Sequence, residues 1–178
     1  MKLLLALALA WSASGAGSRI EELIVASEKG ELSKVDRLLR EGFDPNGRGE
    51  NERTALLGAA AWGRVGVTRA LLKAKANPNL QDQDGLSALM VAATKGQDEI
   101  AKMLIEAPKI KLELKDKEGE TALLKSCRAP AGASRSGMNG VLRALLKAGA
   151  KPDARDKKGW TPLMAAVAAN RDEAVEQL

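Results

Sequence analysis

Histidine and tyrosine are absent from this 178-residue sequence, and Cys127 is its one cysteine. Without histidine the chain lacks the usual general base near neutral pH and the commonest metal ligand. A single cysteine excludes an intrachain disulfide. Aromatic residues make up only 2% of the chain, although hydrophobic residues reach 45%. The core must therefore be assembled from Ala, Leu, Val and Ile, which suits small, closely packed helices better than a β-sandwich. The net charge of +5 is modest and does not by itself indicate nucleic acid as a partner. A chain of this length holds one domain with a real core.

The N-terminus differs from everything after it. Lys2 is a minimal basic start, Leu3 to Trp11 is an apolar run, and the small residues Ser14 and Ala16 stand just before Gly17. This reads as a secretory signal peptide over residues 1–16, cut ahead of Gly17. The run is too short for a permanent membrane anchor, and no cysteine follows it to carry a lipid. A buried N-terminal helix is the bland alternative. Export without disulfides favours a bacterial periplasm, with an extracellular setting as the other reading.

What the rest of the chain has is repetition. Thr54-Ala55-Leu56, Ser87-Ala88-Leu89, Thr121-Ala122-Leu123 and Thr161-Pro162-Leu163 recur at steps of 33, 34 and 40 residues. Asp84-Gly85, Glu118-Gly119 and Lys158-Gly159 precede three of these phrases, and small pairs such as Ala59-Ala60, Ala92-Ala93 and Ala165-Ala166 follow them. Gly63, Gly96 or Asn170 comes next, then a second apolar stretch containing Leu71-Leu72, Leu104-Ile105 or Leu145-Leu146. Turns at Asn77 to Asn79 and Lys151 to Asp153 close units. Each piece has a mechanical reason. Thr or Ser caps a helix N-terminus, and Pro162 sits where a missing N–H costs nothing. The Ala pairs allow close helix approach, and Gly or Asn takes the left-handed conformation that ends a helix. Leu71, Leu72, Leu104 and Leu145 are expected in the core between units.

These phrases resemble the ankyrin repeat, whose period is near 33 and whose units open T-P-L-H-x-A. The resemblance covers nearly all of the chain after residue 16. It implies an all-α solenoid of helix-turn-helix units joined by β-hairpin-like loops, with repeats at about 21–53, 54–86, 87–120, 121–160 and 161–178, the last incomplete. The first unit is placed by Ala26, Gly30, Val35, Leu38, Leu39 and the Asp44-Pro45-Asn46 turn, and it lacks the Thr phrase, as a capping repeat would. The family's His is replaced by Leu57, Met90, Leu124 and Met164. The unit at 121–160 carries seven extra residues near Ala129 to Gly140, read as a surface-loop insertion. Because the unit at 161–178 stops before its second Leu pair, the sequence predicts a longer product.

No catalytic arrangement emerges. Asp82-Gln83-Asp84-Gly85 fails as a calcium loop, since Leu80 and Val91 would stand at ligand positions. Gly132 to Gly137 has neither nucleophile-elbow spacing nor the Gly-Lys-Ser/Thr of a phosphate loop. Cys127, at a small-residue position of a first helix, reads as a buried, inert thiol. From Thr121 to Pro152 there are six basic residues and no acid. That run reads as a solvated helix face, with an anionic surface as the alternative partner.

The resulting expectation is a non-catalytic protein-binding module with no cofactor and no metal, binding through hairpin tips and first helices. The alternative is an inhibitor or immunity-type protein that neutralises an exported enzyme or toxin. The resemblance puts partner contacts at the tips, Gln81, Asp82, Gln83 and Asp84, then Lys115, Lys117 and Glu118, then Arg155, Lys157 and Lys158. It adds Thr94 and Lys95 at the end of a first helix, and Trp62 and Trp160 on the concave surface, where covering a neighbouring repeat is the competing role for each Trp.

Overall fold

The computed structural model describes residues 15–128 and 135–178, so the apolar run Leu3 to Trp11 lies outside the described residues. Ten α-helices are described, paired along the chain. They are α1 (Gly15–Lys29) with α2 (Leu32–Arg40), α3 (Ala55–Ala61) with α4 (Val65–Lys73), and α5 (Ala88–Lys95) with α6 (Asp98–Ile105). The chain continues with α7 (Ala122–Cys127) and α8 (Arg135–Lys147), then α9 (Pro162–Ala168) and α10 (Asp172–Gln177). The expected cut ahead of Gly17 thus falls in the first turn of α1. Among the described residues no helix is long and apolar enough to cross a membrane.

The helix starts follow from the capping chemistry. The hydroxyls of Thr54, Ser87, Thr121 and Thr161 accept from the backbone N–H of Leu57, Met90, Leu124 and Met164 at 3.2–3.3 Å. The helix ends do too. Gly63 and Gly96 both have φ +67°, and Asn170 takes the same left-handed region at +49°.

The chain divides into two compact units, Met1–Asn77 and Pro78–Leu178. In the first, α1 packs on α3, α2 on α4, and each helix on its own partner. Leu23, Ile24, Val35, Leu38, Leu56 and Leu71 form its core. Arg64 Nε donates to the Glu28 carbonyl at 2.8 Å, reaching from the start of α4 to the end of α1. Asn46 Oδ1 accepts from Asn77 N at 2.6 Å, which ties one closing turn to the next.

In the second unit α5, α7 and α9 stack as a row of first helices, with α6, α8 and α10 behind them. Its core is Leu89, Met90, Ile100, Leu104, Leu123, Leu124, Met138, Leu142 and Leu145. Arg171 repeats the Arg64 device: its guanidinium, only 4% exposed, donates to the Ser126 carbonyl at the end of α7 and to Asn139 Oδ1. The closing turns are tied here as well. Asn79 Nδ2 donates to the Lys109 carbonyl at 2.8 Å, and its Oδ1 accepts from Lys111 N at 2.8 Å.

Two expectations need correction. Leu71, Leu104 and Leu145 are fully buried, but Leu72 is only half-buried, as are Leu39, Ile105 and Leu146. Adjacent helical residues point about 100° apart, so only the first of each apolar pair enters the core. The insertion near Ala129 to Gly140 is not all loop, because α8 begins at Arg135. Met138, Val141, Leu142 and Leu145 are 0% exposed, an apolar stripe at helical spacing that extends the helix backwards into the insert. Residues 129–134 lie outside the described residues.

Cys127 is 0% exposed, and burial pushes its thiol from the usual 9.0 up to about 11, against smaller opposing effects of Ser126 and Arg171. The thiolate forms more readily in the unfolded chain, so this site contributes its full stability below pH ~9 and loses it as pH rises towards ~11. At about 1.4 kcal/mol per pKa unit, the loss across that window is about 2–3 kcal/mol. Urea melts between pH 8 and 11 should show the decline, and Cys127→Ala should flatten it. An unchanged slope in the variant would mean the thiol does not titrate differently on folding.

Candidate functional site

Three turns in the second unit share one construction. Asp82 Oδ1 accepts from Asp84 N (2.9 Å) and Leu86 N (2.8 Å), and Asp116 Oδ1 accepts from Glu118 N (3.0 Å) and Glu120 N (2.8 Å). Asp156 Oδ1 accepts from Lys158 N and Trp160 N, both at 2.8 Å. Each carboxylate closes an Asx turn over the following Gly. Gly85 and Gly119 are required there. Each has φ close to +80°, and a Cβ on either would lie 2.9–3.0 Å from backbone of the next turn.

The turns are joined edge to edge. Lys117 N donates to the Asp84 carbonyl and Lys157 N to the Glu118 carbonyl, both at 3.0 Å. Side chains add to the seam. The Gln81 amide donates to the Gly85 and Lys115 carbonyls, Lys115 Nζ reaches the Arg155 carbonyl at 2.9 Å, and Lys117 Nζ lies 3.6 Å from Asp84 Oδ1. The three tips therefore form one continuous edge.

Behind that edge lies a charge network. Lys125 Nζ sits 2.6 Å from Asp116 Oδ2 and 2.8 Å from Glu120 Oε2. Arg128 bridges onward, with Nε 2.8 Å from Glu120 Oε1 and Nη2 2.9 Å from Asp156 Oδ2. Burial by itself would lower the Lys125 pKa, but its hydrogen bonds and attraction to Asp116 and Glu120 outweigh this and raise it above the usual 10.5. Asp116 and Asp156 thus use one oxygen to hold their own turn and the other to hold a cation of α7 or its C-cap.

The sequence-predicted residues separate accordingly. Gln83, Asp84, Lys117, Glu118, Lys157 and Lys158 are exposed along the edge. Gln81 and Asp82 are half-buried and engaged in the turn, while Lys115 and Arg155 are exposed with their side chains tied to backbone carbonyls. Thr94 donates to the Met90 carbonyl at 2.9 Å within α5, and the neighbouring Lys95 is exposed. Trp160 is half-buried, with the Arg128 guanidinium 5.6 Å from its ring centre. Trp62, in the first unit, is 62% exposed at the end of α3. The first unit's tip is built differently, on a 3-10 turn at Glu50–Glu52 with Arg48 Nη1 2.6 Å from Glu52 Oε2.

The basic run from Thr121 to Pro152 changes character in three dimensions. Lys125 and Arg128 are neutralised by acids of the tips, and Arg143 pairs with Glu173 at 2.9 Å. Lys147 and Lys151 remain exposed. Counting charge along the chain missed these pairings because the partners lie up to 30 residues away. Asp116 and Asp156 were also missed, and Asp82 was read as a partner contact and not as a turn tie, though the spacing Asp82-x-x-Gly85, Asp116-x-x-Gly119, Asp156-x-x-Gly159 carried the signal.

The model of ankyrin repeats (3 copies) matches residues 23–116 and 109–178. The chain belongs to the ankyrin repeat family. Ankyrin repeats are in general protein–protein interaction modules, and proteins built from them are typically non-catalytic scaffolds. A comparison with curated proteins found no match.

Proposed function

We propose that this ankyrin protein is an exported scaffold that binds a protein partner along the tip edge of its second unit. The observation that carries this reading is the separation of roles within each turn. The atoms that hold the fold face inward, and Asp84, Lys117, Glu118, Lys157 and Lys158 are left at the surface. The first tip is acidic through Asp82 and Asp84, the middle one balanced, and the third basic through Arg155, Lys157 and Lys158. Because the tips are fixed side by side, this is a charge gradient along a rigid edge. Such a gradient orients an approaching partner and speeds encounter more than it adds affinity. Export rests on the pattern of residues 1–16.

Cross-linking in the native host, followed by mass spectrometry, identifies the partner, and N-terminal sequencing of the captured protein should begin near Gly17. Intact Met1 in the cytosolic fraction would remove export from the reading. With the partner purified, Lys157→Glu/Lys158→Glu should slow association by about tenfold and flatten its salt dependence, leaving the off-rate nearly unchanged. Parent-like association would show that the tip edge is not the site.

A further inference from the structure

Helices α2 and α4 pack side by side in the first unit, and helical spacing separates their buried residues from their exposed ones. Val35 and Leu38 of α2 are buried, as are Val67, Thr68 and Leu71 of α4. Asp36, Arg37 and Arg40 of α2 are exposed on the other side, with Gly66, Arg69 and Lys73 of α4. Residues 33 apart are equivalent, so Arg40 stands beside Lys73 and Asp36 beside Arg69, on helix axes about 10 Å apart. Lys75, just after α4, is exposed as well. This flank runs along the side of the stacked helices, so a further repeat at either end would leave it open.

The flank is basic. Arg37, Arg40, Arg69, Lys73 and Lys75 share it with two acids, Asp36 and Glu41, and no acidic residue lies between Glu52 and Asp82 in the chain. Arg37 is 3.7 Å from Glu41, while Arg40 Nε donates to the Asp36 backbone carbonyl, which does not neutralise its charge. Among the described residues no ion pair holds Lys73 or Lys75. Lys75 also has a left-handed backbone at φ +64°, where its equivalent, Gly42, has +82°. Glycine adopts that conformation without strain and lysine does not. A cation kept there at the expense of stability points to a use for its charge.

We propose that this flank of the first unit docks on anionic lipid headgroups at a membrane surface. Charge complementarity gives the sign of the partner, and two further features select lipid. Leu32, 42% exposed at the start of α2, lies against α4 at Gly66, where a Cβ would be 3.5 Å from Leu32 Cδ2. It gives the basic flank an apolar side chain that can enter the headgroup layer. Neither α2 nor α4 carries an aromatic residue on which bases could stack, which disfavours single-stranded nucleic acid. Clustered Lys and Arg on an exposed helical surface are drawn to anionic bilayers, and the attraction fades within a Debye length.

Co-sedimentation of the purified full chain with vesicles tests this, with phosphatidylcholine and phosphatidylglycerol in equal parts set against phosphatidylcholine alone. Binding to the mixed vesicles only, reversed by salt, is expected. Lys73→Glu/Lys75→Glu should weaken it by about tenfold or more. Lys75→Gly should weaken it about fivefold while the melting temperature holds or rises, because the backbone strain is relieved. A residue serving the fold alone would not give that pair of results. Lys157→Glu/Lys158→Glu, at the tip edge of the second unit, should bind vesicles like the parent. Failure to bind, equal binding to both vesicle types, or a loss in the tip variant but not in Lys73→Glu/Lys75→Glu overturns the proposal. Tighter binding of a single-stranded oligonucleotide, abolished by Lys73→Glu/Lys75→Glu, would assign the flank to nucleic acid and overturn it equally.

Discussion

Asp116→Ala should destabilise the protein by about 3–5 kcal/mol, the cost of breaking a buried ion pair by removing one partner. Two losses combine. Lys125, with a side chain only 13% exposed, keeps its charge but loses the carboxylate at 2.6 Å. The N–H groups of Glu118 and Glu120 lose their acceptor, and Glu120 sits in the turn at 9% exposure. Asp116→Asn separates the two effects, since an amide oxygen can still accept both N–H groups while the ion pair is gone. Its cost should be distinctly smaller than that of Ala. Urea melts of the two variants measure the difference. A loss under about 1 kcal/mol for Asp116→Ala would mean Glu120 alone satisfies Lys125.

Leu104→Ala should cost about 2–5 kcal/mol. Leu104 is 0% exposed on α6, within the apolar layer shared with α5 and α8. A fixed helical framework on both sides cannot collapse fully onto the space left by the missing side chain, so a cavity term adds to the lost transfer energy. Leu146→Ala, on the half-buried neighbour of Leu145, should cost under about 1 kcal/mol. Similar losses for the two would show that the second helices carry no preferred buried face.

Much of this architecture was legible because ankyrin units repeat their signals in phase. Thr54, Ser87, Thr121 and Thr161 are caps for a local reason, a hydroxyl three residues before an N–H, and local chemistry survives translation into structure. Gly63, Gly96 and Asn170 were readable for the same reason. Leu72 was misjudged because a repeated Leu pair looks uniform in sequence, whereas a helix turns its two members to different surroundings. The helical start of α8 was hidden in a stretch rich in Gly, Ser and Pro, and only the spacing of Met138, Val141 and Leu145 betrays it. The candidate edge was legible in position but not in chemistry. Tip positions follow from the repeat, yet which oxygen of Asp116 faces its turn and which faces Lys125 depends on contacts between units of the repeat. Trp160 shows the limit well, since its half-burial under Arg128 depends on a residue 32 positions earlier.

The inward carboxylates of the tips have a consequence for how this surface can change over generations. Asp82, Asp116 and Asp156 hold their turns through backbone N–H groups, and the seam between tips runs through the backbone of Lys117 and Lys157. None of those bonds requires a particular side chain at positions 83, 84, 117, 118, 157 or 158. Any residue but proline, which lacks the N–H, supplies the same turn donors at 84, 118 and 158 and the same seam donors at 117 and 157. Six positions, in three pairs that lie side by side along the edge, can therefore change side chain while those backbone bonds stay in place. Inherited variation at this edge is free to follow a changing partner while selection on folding stays silent.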